Sequence, residues 1–233
     1  MKILFLIKKI LNKLGWDIKK HRPIFESKIK NLTIKTILDI GANNGEYARK
    51  IRLTFPNAYI YSFEPLSDCY ENLVKKMAED NKFKAFNTAL GNEKNEIEIY
   101  KSSFHPSSSI LKMADLHKKL YPKSKTHKIE NINVNKLDDI LKPENLADDI
   151  LIKIDVQGFE DKVIKGGETI IKRAKLVIIE TSFVSLYEDQ PLFNDIYQQM
   201  INLDFSYQGS LERHYDPDSG QLIYEDSIFI NKK

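Results

Sequence analysis

An acidic residue and two glycines lie together where an apolar segment of the sequence meets a helix-forming one. Asp39 belongs to the apolar run at residues 37–40, and Gly41 and Gly45 follow it, before a helical pattern over residues 45–54. A buried strand that passes through a glycine-bearing turn into a helix brings backbone N–H groups close to a small ligand. The carboxylate of Asp39 would favour a ligand that carries positive charge. The segment therefore predicts a site for a nucleotide-like cofactor that is not rich in phosphate.

A second acidic residue, Glu64, ends the next predicted strand at residues 59–63. A carboxylate at that place can accept hydrogen bonds from both hydroxyls of a ribose. The dinucleotide-binding pattern GxGxxG, aligned on Gly41, requires glycines where the chain has Asn43 and Glu46. These residues would obstruct and repel a pyrophosphate, which disfavours an NAD-type oxidoreductase. S-adenosylmethionine, which contains adenine, a ribose and a positive sulfur but no phosphate, fits the residues better.

The composition is that of one soluble domain. The 233 residues are enough for an α/β domain with a buried core, and the charged and hydrophobic fractions, 30% and 42%, are ordinary for a globular protein. Cys69 is the single cysteine of the sequence, so no internal disulfide is expected and a reducing, cytoplasmic location is predicted. No cysteine or histidine cluster has the spacing of a metal site, so none is predicted.

Residues 1–35 differ in charge from the rest of the chain. They contain ten Lys or Arg and two Asp or Glu, a balance of +8, whereas the whole chain has a net charge of +3. We interpret them as an N-terminal amphipathic helical arm that precedes a domain at residues 36–233. The arm packs on the domain or on a second copy of the chain in a homo-oligomer, or residues 1–22 bind an anionic membrane surface, the inner face of the membrane. Its apolar run is too short for a membrane span, and no stacking platform accompanies its basic residues, so no nucleic acid partner is expected.

Strand and helix patterns alternate over the rest of the sequence. Strands are predicted at residues 36–40, 59–63, 83–90, 96–101, 151–155 and 176–180, helices at 45–54, 70–79 and 161–173, and a hairpin from 205–208 and 228–231. This alternation predicts a Rossmann-like, doubly wound, mostly parallel α/β sheet. Because crossovers are right-handed, the ends of the strands meet at one edge, where ligands bind. The predicted active face combines residues 41–45, 64, 87–90, 155–160 and 180–182.

Four sequence segments resemble those of FkbM-family methyltransferases and occur in the same order. They are LDIGANNG at 38–45, FEP at 63–65, NTALG at 87–91 and IKIDVQGFE at 152–160. The resemblance covers roughly residues 36–208 and implies the seven-stranded class I methyltransferase fold with S-adenosylmethionine as cofactor. We predict O-methylation of a hydroxyl on a saccharide, a glycolipid precursor or another small-molecule or glycan acceptor, since the basic charge of residues 104–127 would suit a glycan, a lipid-linked sugar or another anionic acceptor. A non-catalytic nucleoside-binding or membrane-associated protein that retains the fold is the alternative.

The resemblance also implies roles for the matching residues. The family's cofactor loop, beside the methionine part and the ribose, corresponds to Gly41, Ala42, Asn43 and Gly45. Glu64, followed by Pro65, corresponds to the ribose-binding acid, and Thr88, Ala89 and Leu90 to the stretch beside adenine. Ser108 and Ser109 belong to a serine-bearing loop that is expected near the cofactor.

For catalysis the first candidate is Asp155, the carboxylate that the resemblance places near the transferred methyl group and the cofactor. It would orient the acceptor or take its proton. His105 is the second candidate. Glu160, in the same motif, either shares in catalysis, braces Lys153 or caps the next helix. Lys153 and Asp155 are two residues apart on a predicted strand, so we expect them to pair, and the basic, aromatic stretch at 104–127 is expected to form a lid over the acceptor.

Overall fold

The computed structural model describes residue 29 and residues 31–102, 108–120 and 127–233. The chain divides into two units, and all the elements below belong to the second, Thr33–Lys233. The predicted helix at residues 1–22, with its membrane or subunit contacts, and the candidate base His105 lie outside the described residues. Within the ranges described, no helix is both long enough and apolar enough to cross a membrane.

The described residues form ten strands and seven helices. The strands are β1 (Thr36–Ile40), β2 (Tyr59–Phe63), β3 (Phe83–Phe86), β4 (Ala89–Leu90), β5 (Asn95–Ser102), β6 (His127–Asn135), β7 (Ile150–Ile154), β8 (Ala174–Ser182), β9 (Phe205–Tyr215) and β10 (Leu222–Asn231). The helices are α1 (Glu46–Thr54), α2 (Ser67–Lys76), α3 (Asp115–Leu120), α4 (Leu137–Ile140), α5 (Glu160–Gly166), α6 (Glu168–Ile171) and α7 (Phe193–Asn202), with a 3-10 turn at Pro143–Asn145.

Seven of these strands form the central sheet, in the order β3-β2-β1-β7-β8-β10-β9. Strands β3, β2, β1, β7 and β8 are parallel, whereas β10 is antiparallel to both β8 and β9. The predicted mostly parallel, seven-stranded sheet is confirmed. Every residue of β1 is buried, as expected for a strand that is covered on both faces. Because β1 pairs with β2 on one side and with β7 on the other, the order of the strands reverses beside it, and a crevice opens at its carboxyl end.

The prediction of one strand over residues 83–90 was wrong, because the chain changes sheet in the middle of this segment. The side-chain amide of Asn87 donates to the backbone oxygens of Glu64 and Pro65, both at 2.9 Å, and so turns the chain after β3. The next residues, β4, join a second sheet of order β4-β6-β5, in which β4 is parallel and β5 antiparallel to β6. This small sheet supplies one wall of the crevice.

The helix predicted over residues 161–173 consists instead of two short helices, α5 and α6. The break occurs at Gly166 and Gly167, where a Cβ on Gly166 would overlap the carbonyl oxygen of Gly91. The carboxylate of Asp138 then accepts the N–H groups of Thr169 and Ile170, at 2.9 and 3.1 Å, in the first turn of α6. The two helices together fix the position of the loop between β7 and α5.

Candidate active site

The turn after β1 forms the floor of the crevice. Gly41 has a φ of +82°, and the N–H groups of Gly41 and Ala42 both donate to the carbonyl oxygen of Phe63, each at 3.0 Å. A Cβ on Gly41 would overlap the carbonyl oxygen of Asp155, at the end of the neighbouring strand β7. The backbones of the two strand ends can approach this closely because residue 41 is glycine.

Glu64 joins two loops of the site through its carboxylate. One of its oxygens accepts the N–H of Asn43 at 2.8 Å, and the other accepts the N–H of Leu66 at 2.9 Å. The side chain is 6% exposed. Burial raises its pKa to about 7, although the two backbone N–H groups act in the opposite direction. The loops after β1 and β2 are therefore held together by a carboxyl group that titrates near neutral pH.

A cavity of about 240 Å³ lies along the carboxyl ends of the parallel strands. Many of the residues that the sequence singled out line it: Gly41, Asn43, Glu64, Pro65, Thr88, Ala89, Leu90, Ser108 and Asp155. Its apolar wall is completed by Leu66, Cys69, Ile99 and Ile110. The structure thus brings together residues from every segment of the predicted active face.

The wall contributed by the small sheet combines apolar side chains with one fixed hydroxyl. Thr88 lies within 2.9 Å of the carbonyl oxygens of Ala89 and Asn133, and its hydroxyl accepts the side-chain N–H of Asn135 at 3.0 Å. Its polar atoms are therefore satisfied by the protein. Burial raises the pKa of Cys69 to about 12, so this residue contributes a neutral, apolar thiol.

Some of the predicted residues do not line the cavity. The side chain of Asp39 is fully buried, one of its oxygens accepts the hydroxyl of Ser62 at 3.4 Å, and burial raises its pKa to about 6. Its influence on the site is electrostatic, through the Lys153 ammonium group. Ala42 is buried, and Gly45 packs so closely that a Cβ would lie 2.7 Å from a methyl group of Leu73. These three residues shape the loop without forming the surface of the cavity.

Asp155 forms the predicted ion pair with Lys153. The ammonium nitrogen lies 2.9 Å from Asp155 Oδ2, and it also lies over the ring of Tyr47, 5.2 Å from its centre. Burial alone would raise the pKa of Asp155, but the charge and hydrogen bond of Lys153, with a further hydrogen bond from Gln157, hold it below its usual value. Asp155 is therefore ionised at neutral pH.

Glu180, at the end of β8, lines the cavity together with Glu64 and Asp155. Gln157 donates from one amide nitrogen to both carboxylates, 2.7 Å from Asp155 Oδ1 and 3.0 Å from Glu180 Oε1. Burial and then the negative charges of Asp155 and Glu160 raise the pKa of Glu180 well above its usual value. The pKa values of the two neighbouring carboxyl groups are therefore displaced in opposite directions. In the described part of the chain no three His, Cys, Asp or Glu side chains are grouped to hold a metal ion.

Glu160 braces the loop between β7 and α5. Its Oε1 atom accepts the N–H groups of Val156 and Gly158, at 3.1 and 3.2 Å, and burial raises its pKa to about 7. The expected contact with Lys153 is replaced by this one, since the loop turns back over the first residue of α5. Ser109 is also buried, and its hydroxyl donates to the backbone oxygen of Gln157, so it supports the same loop.

Residues 39–207 match the family model described as the methyltransferase FkbM domain. The chain belongs to the FkbM methyltransferase family. A curated relative, the 2-O-methyltransferase NoeI of Sinorhizobium fredii (strain NBRC 101917 / NGR234), is 28% identical over 185 residues, or 75% of this chain and 73% of that protein. The methyl donor of this FkbM-family methyltransferase is S-adenosylmethionine.

Solved structures share the fold of the FkbM-family chain. An rRNA methylase from Streptococcus thermophilus is 9% identical, with a TM-score of 0.50 over 93% of this chain and 100% of that one. Sp1610 of Streptococcus pneumoniae, solved in complex with S-adenosyl-L-methionine, is also 9% identical, with a TM-score of 0.51 over 92% of this chain and 73% of that one. These matches confirm the class I methyltransferase fold.

The residues of the FkbM-family cavity fit this cofactor. Gly41 packs closely against the end of β7, where a Cβ would overlap the carbonyl oxygen of Asp155. The end of β1 therefore exposes backbone atoms rather than a side chain at residue 41. Each carboxylate oxygen of Glu64 accepts one backbone N–H, from Asn43 or from Leu66, and has a further lone pair for a hydroxyl of a ribose. The ionised Asp155 favours a positively charged sulfur, and the apolar wall beside Thr88 suits an uncharged base.

Several residues of the site were not recognised from the sequence of the FkbM-family chain. Glu180 and Gln157 were included only as members of strand-end segments, and the signal for each was its place directly after an apolar run. His117 lies in α3, within the stretch at 104–127 that was expected to form a lid, and Tyr187 lies in the loop after β8, but neither was named as a site residue. They are nevertheless 2% and 1% exposed, and His117 lines the cavity.

Proposed function

We propose that this protein transfers a methyl group from S-adenosylmethionine to a hydroxyl oxygen of a saccharide. The observation that carries the proposal is the pair Asp155 and Glu180, two carboxyl groups in the lining of the cofactor cavity that both accept hydrogen bonds from the amide nitrogen of Gln157. An ionised carboxylate can accept the hydrogen bond of an acceptor hydroxyl. The similarity to a protein named as a 2-O-methyltransferase supports transfer to oxygen.

The cofactor, when bound, supplies a methyl group activated by the positive charge of its sulfur. We assign the ribose hydroxyls to Glu64, the neighbouring part of the cofactor to the backbone of Gly41 and Asn43, and the base to residues 88–90. Asp155 then orients the acceptor hydroxyl and takes its proton, because it is the ionised member of the carboxyl pair. Lys153 keeps Asp155 charged, and Glu160 holds the loop that carries it.

The proposal is tested with a donor whose methyl group is isotopically labelled. We expect label to be transferred to oligosaccharides or cell-envelope sugar precursors, and mass spectrometry with fragmentation to locate it on a sugar oxygen. A panel of catechols, small carboxylic acids and nucleosides serves as the control set of acceptors. Transfer to that panel, with none to any saccharide, would show that the acceptor class is wrong while the methyltransferase assignment stands.

Replacing Asp155 with asparagine should remove methyl transfer without removing cofactor binding. The amide keeps the shape of the side chain but cannot take a proton, so we expect kcat to fall by at least about 100-fold, the usual range for a lost general base. Single-turnover assays measure the transfer, and calorimetry measures donor binding. Asp148→Asn is the matched control, because Asp148 also pairs with a basic residue, Arg173, but is 82% exposed. Equal transfer rates in wild type and Asp155→Asn would contradict the assignment.

A further inference from the structure

The side chain of Gln157 makes hydrogen bonds through both its amide nitrogen and its amide oxygen inside the site. Its amide nitrogen donates to Asp155 at 2.7 Å and to Glu180 at 3.0 Å, and its amide oxygen accepts the hydroxyl of Tyr187 at 2.8 Å. A primary amide has two N–H groups, so each carboxyl group receives one of them. Rotating the amide by half a turn would place its oxygen against two carboxyl groups and its N–H groups against a donor hydroxyl. One orientation of the amide is therefore strongly favoured.

The backbone of Gln157 is held as firmly as its side chain. Its φ is +57°, a conformation that residues other than glycine seldom adopt and that persists where the surroundings enforce it. Ser109 donates to its carbonyl oxygen, and the N–H groups on either side, of Val156 and Gly158, donate to Glu160. Supports from two other segments thus fix a strained residue between two carboxyl groups.

Tyr187 is fixed in turn by its own surroundings. Its hydroxyl lies 3.3 Å from Nε2 of the buried His117, and its ring lies 5.1 Å from the imidazole, centre to centre. The amide oxygen of Gln190 accepts the N–H groups of Leu186 and Tyr187, at 2.9 and 3.2 Å, and its nitrogen donates to Ser182 at 2.9 Å. The loop after β8 therefore presents a rigid hydroxyl to Gln157.

We propose that Gln157 is a positioning residue for methyl transfer, whose amide, oriented by Tyr187, holds the carboxyl groups of Asp155 and Glu180 at a fixed separation. Each carboxyl group receives one N–H, so the pair is kept close without direct repulsion, and Asp155 faces the cavity in one orientation. The catalytic part of this inference rests on the proposed function. The part that concerns the two carboxyl groups does not require it.

The amide of Gln157, which donates to both Asp155 and Glu180, forms a bridge between the two carboxyl groups. The substitution Gln157→Glu replaces this hydrogen-bond donor by an acceptor with almost no change of shape. At neutral pH a third carboxyl group replaces the donor between the other two, so we expect kcat to fall by roughly 100-fold, as for a lost pair of charge-assisted hydrogen bonds. At lower pH the new carboxyl group takes up a proton and regains one donor. The variant should therefore recover activity as the pH falls, whereas wild type loses activity when Asp155 is protonated.

The substitution Tyr187→Phe keeps the ring and removes the hydroxyl that orients the amide. We expect kcat to fall by roughly tenfold, the equivalent of one hydrogen bond, with a smaller effect on the KM of the acceptor. Gln198→Glu and Tyr215→Phe are the matched controls, since both residues are exposed on other parts of the domain. The controls should keep the pH profile of wild type.

Carbon-13 NMR titration of labelled carboxyl groups tests the bridge without any methyl transfer. In wild type Asp155 should titrate below the usual range of an aspartate and Glu180 well above that of a glutamate. The proposal expects the pKa of Asp155 to rise in both Gln157→Glu and Tyr187→Phe. Unchanged titration of Asp155 in both variants would overturn it, even if their activity were lower. Should Gln157→Glu fail to fold, Gln157→Met removes the same donors with an uncharged side chain of similar length.

The two proposals fail in distinguishable ways. If no saccharide is methylated but the titration of Asp155 shifts in both variants, the bridge stands and the acceptor class is wrong. If saccharides are methylated and the pH profile of Gln157→Glu parallels that of wild type, the acceptor class stands and the role of Gln157 is refuted.

Discussion

Replacing Gly41 with alanine should abolish measurable binding of S-adenosylmethionine. The added Cβ would overlap the carbonyl oxygen of Asp155, so β1 and β7 must separate where both contribute to the cavity. Neither atom belongs to a flexible side chain, and the clash cannot be relieved by a change of rotamer. We expect the dissociation constant to rise by at least about 100-fold, or roughly 2.8 kcal/mol, in isothermal titration calorimetry.

The control for this substitution is Gly220→Ala, in the turn between β9 and β10. Gly220 also has a positive φ, +71°, but a Cβ there meets no atom within 4 Å. Both variants bear the same backbone cost, about 1 to 2 kcal/mol, and only the first bears the clash. Circular dichroism establishes that each variant is folded before it is titrated. Equal affinity for S-adenosylmethionine in Gly41→Ala and Gly220→Ala would contradict the assignment of the turn at Gly41 to the cofactor site.

The substitution Glu64→Ala should have the second largest effect. It removes the acid assigned to the ribose and leaves the N–H groups of Asn43 and Leu66 without their present acceptor. Hydrogen bonds to a charged carboxylate contribute about 1.5 to 3 kcal/mol each, so losing those to the ribose should lower the affinity for S-adenosylmethionine by about 100-fold or more. The two unsatisfied N–H groups should separately lower the free energy of unfolding. Calorimetry measures the loss of affinity, and Glu71→Ala, an exposed glutamate on α2, is the control. Unaltered affinity in Glu64→Ala would refute the assignment of Glu64 to the cofactor.

The raised pKa of Glu64 gives this prediction a dependence on pH. Ribose hydroxyls donate hydrogen bonds more strongly to an ionised carboxylate than to a protonated one. The affinity of wild type for S-adenosylmethionine should therefore increase as the pH rises through about 7, and that of Glu64→Gln should not. Folding responds in the opposite direction. The folded carboxyl group keeps a proton that the unfolded one, with a pKa of 4.5, releases, so this residue lowers the free energy of unfolding as the pH rises from 4.5 through about 7. Between pH 5 and pH 8 the melting temperature should therefore fall less in Glu64→Gln than in wild type, as measured by thermal unfolding.

The parallel part of the fold could be predicted from the sequence because each of its strands is a short, continuous apolar run. Strands β1, β2, β7 and β8 are confirmed within one or two residues. Glycine and acidic residues at their ends then indicated the cavity, since parallel strands end at a common edge. Asp155 and Lys153 could be paired in advance because side chains two residues apart share a face of a strand.

The remaining features depend on contacts between residues that are distant in the sequence. The end of β3 is set by Asn87, whose side-chain amide donates to the backbone oxygens of Glu64 and Pro65, directly after β2. The strand β6 and the helix α7 were not predicted from the sequence. Tyr187, in the loop after β8, and His117, in α3, reach the site through tertiary packing, which no local sequence pattern indicates.

The position of β10 has a consequence for the order in which the sheet can be completed. This strand lies between β8 and β9, yet it follows both of them in the chain. During synthesis β8 and β9 are therefore made before the strand that joins them, and each has an unpaired edge until residues 222–231 have left the ribosome. Tyr224, which lines the cavity, arrives with the same strand. The last step that closes the sheet is thus also the step that completes the wall of the active site.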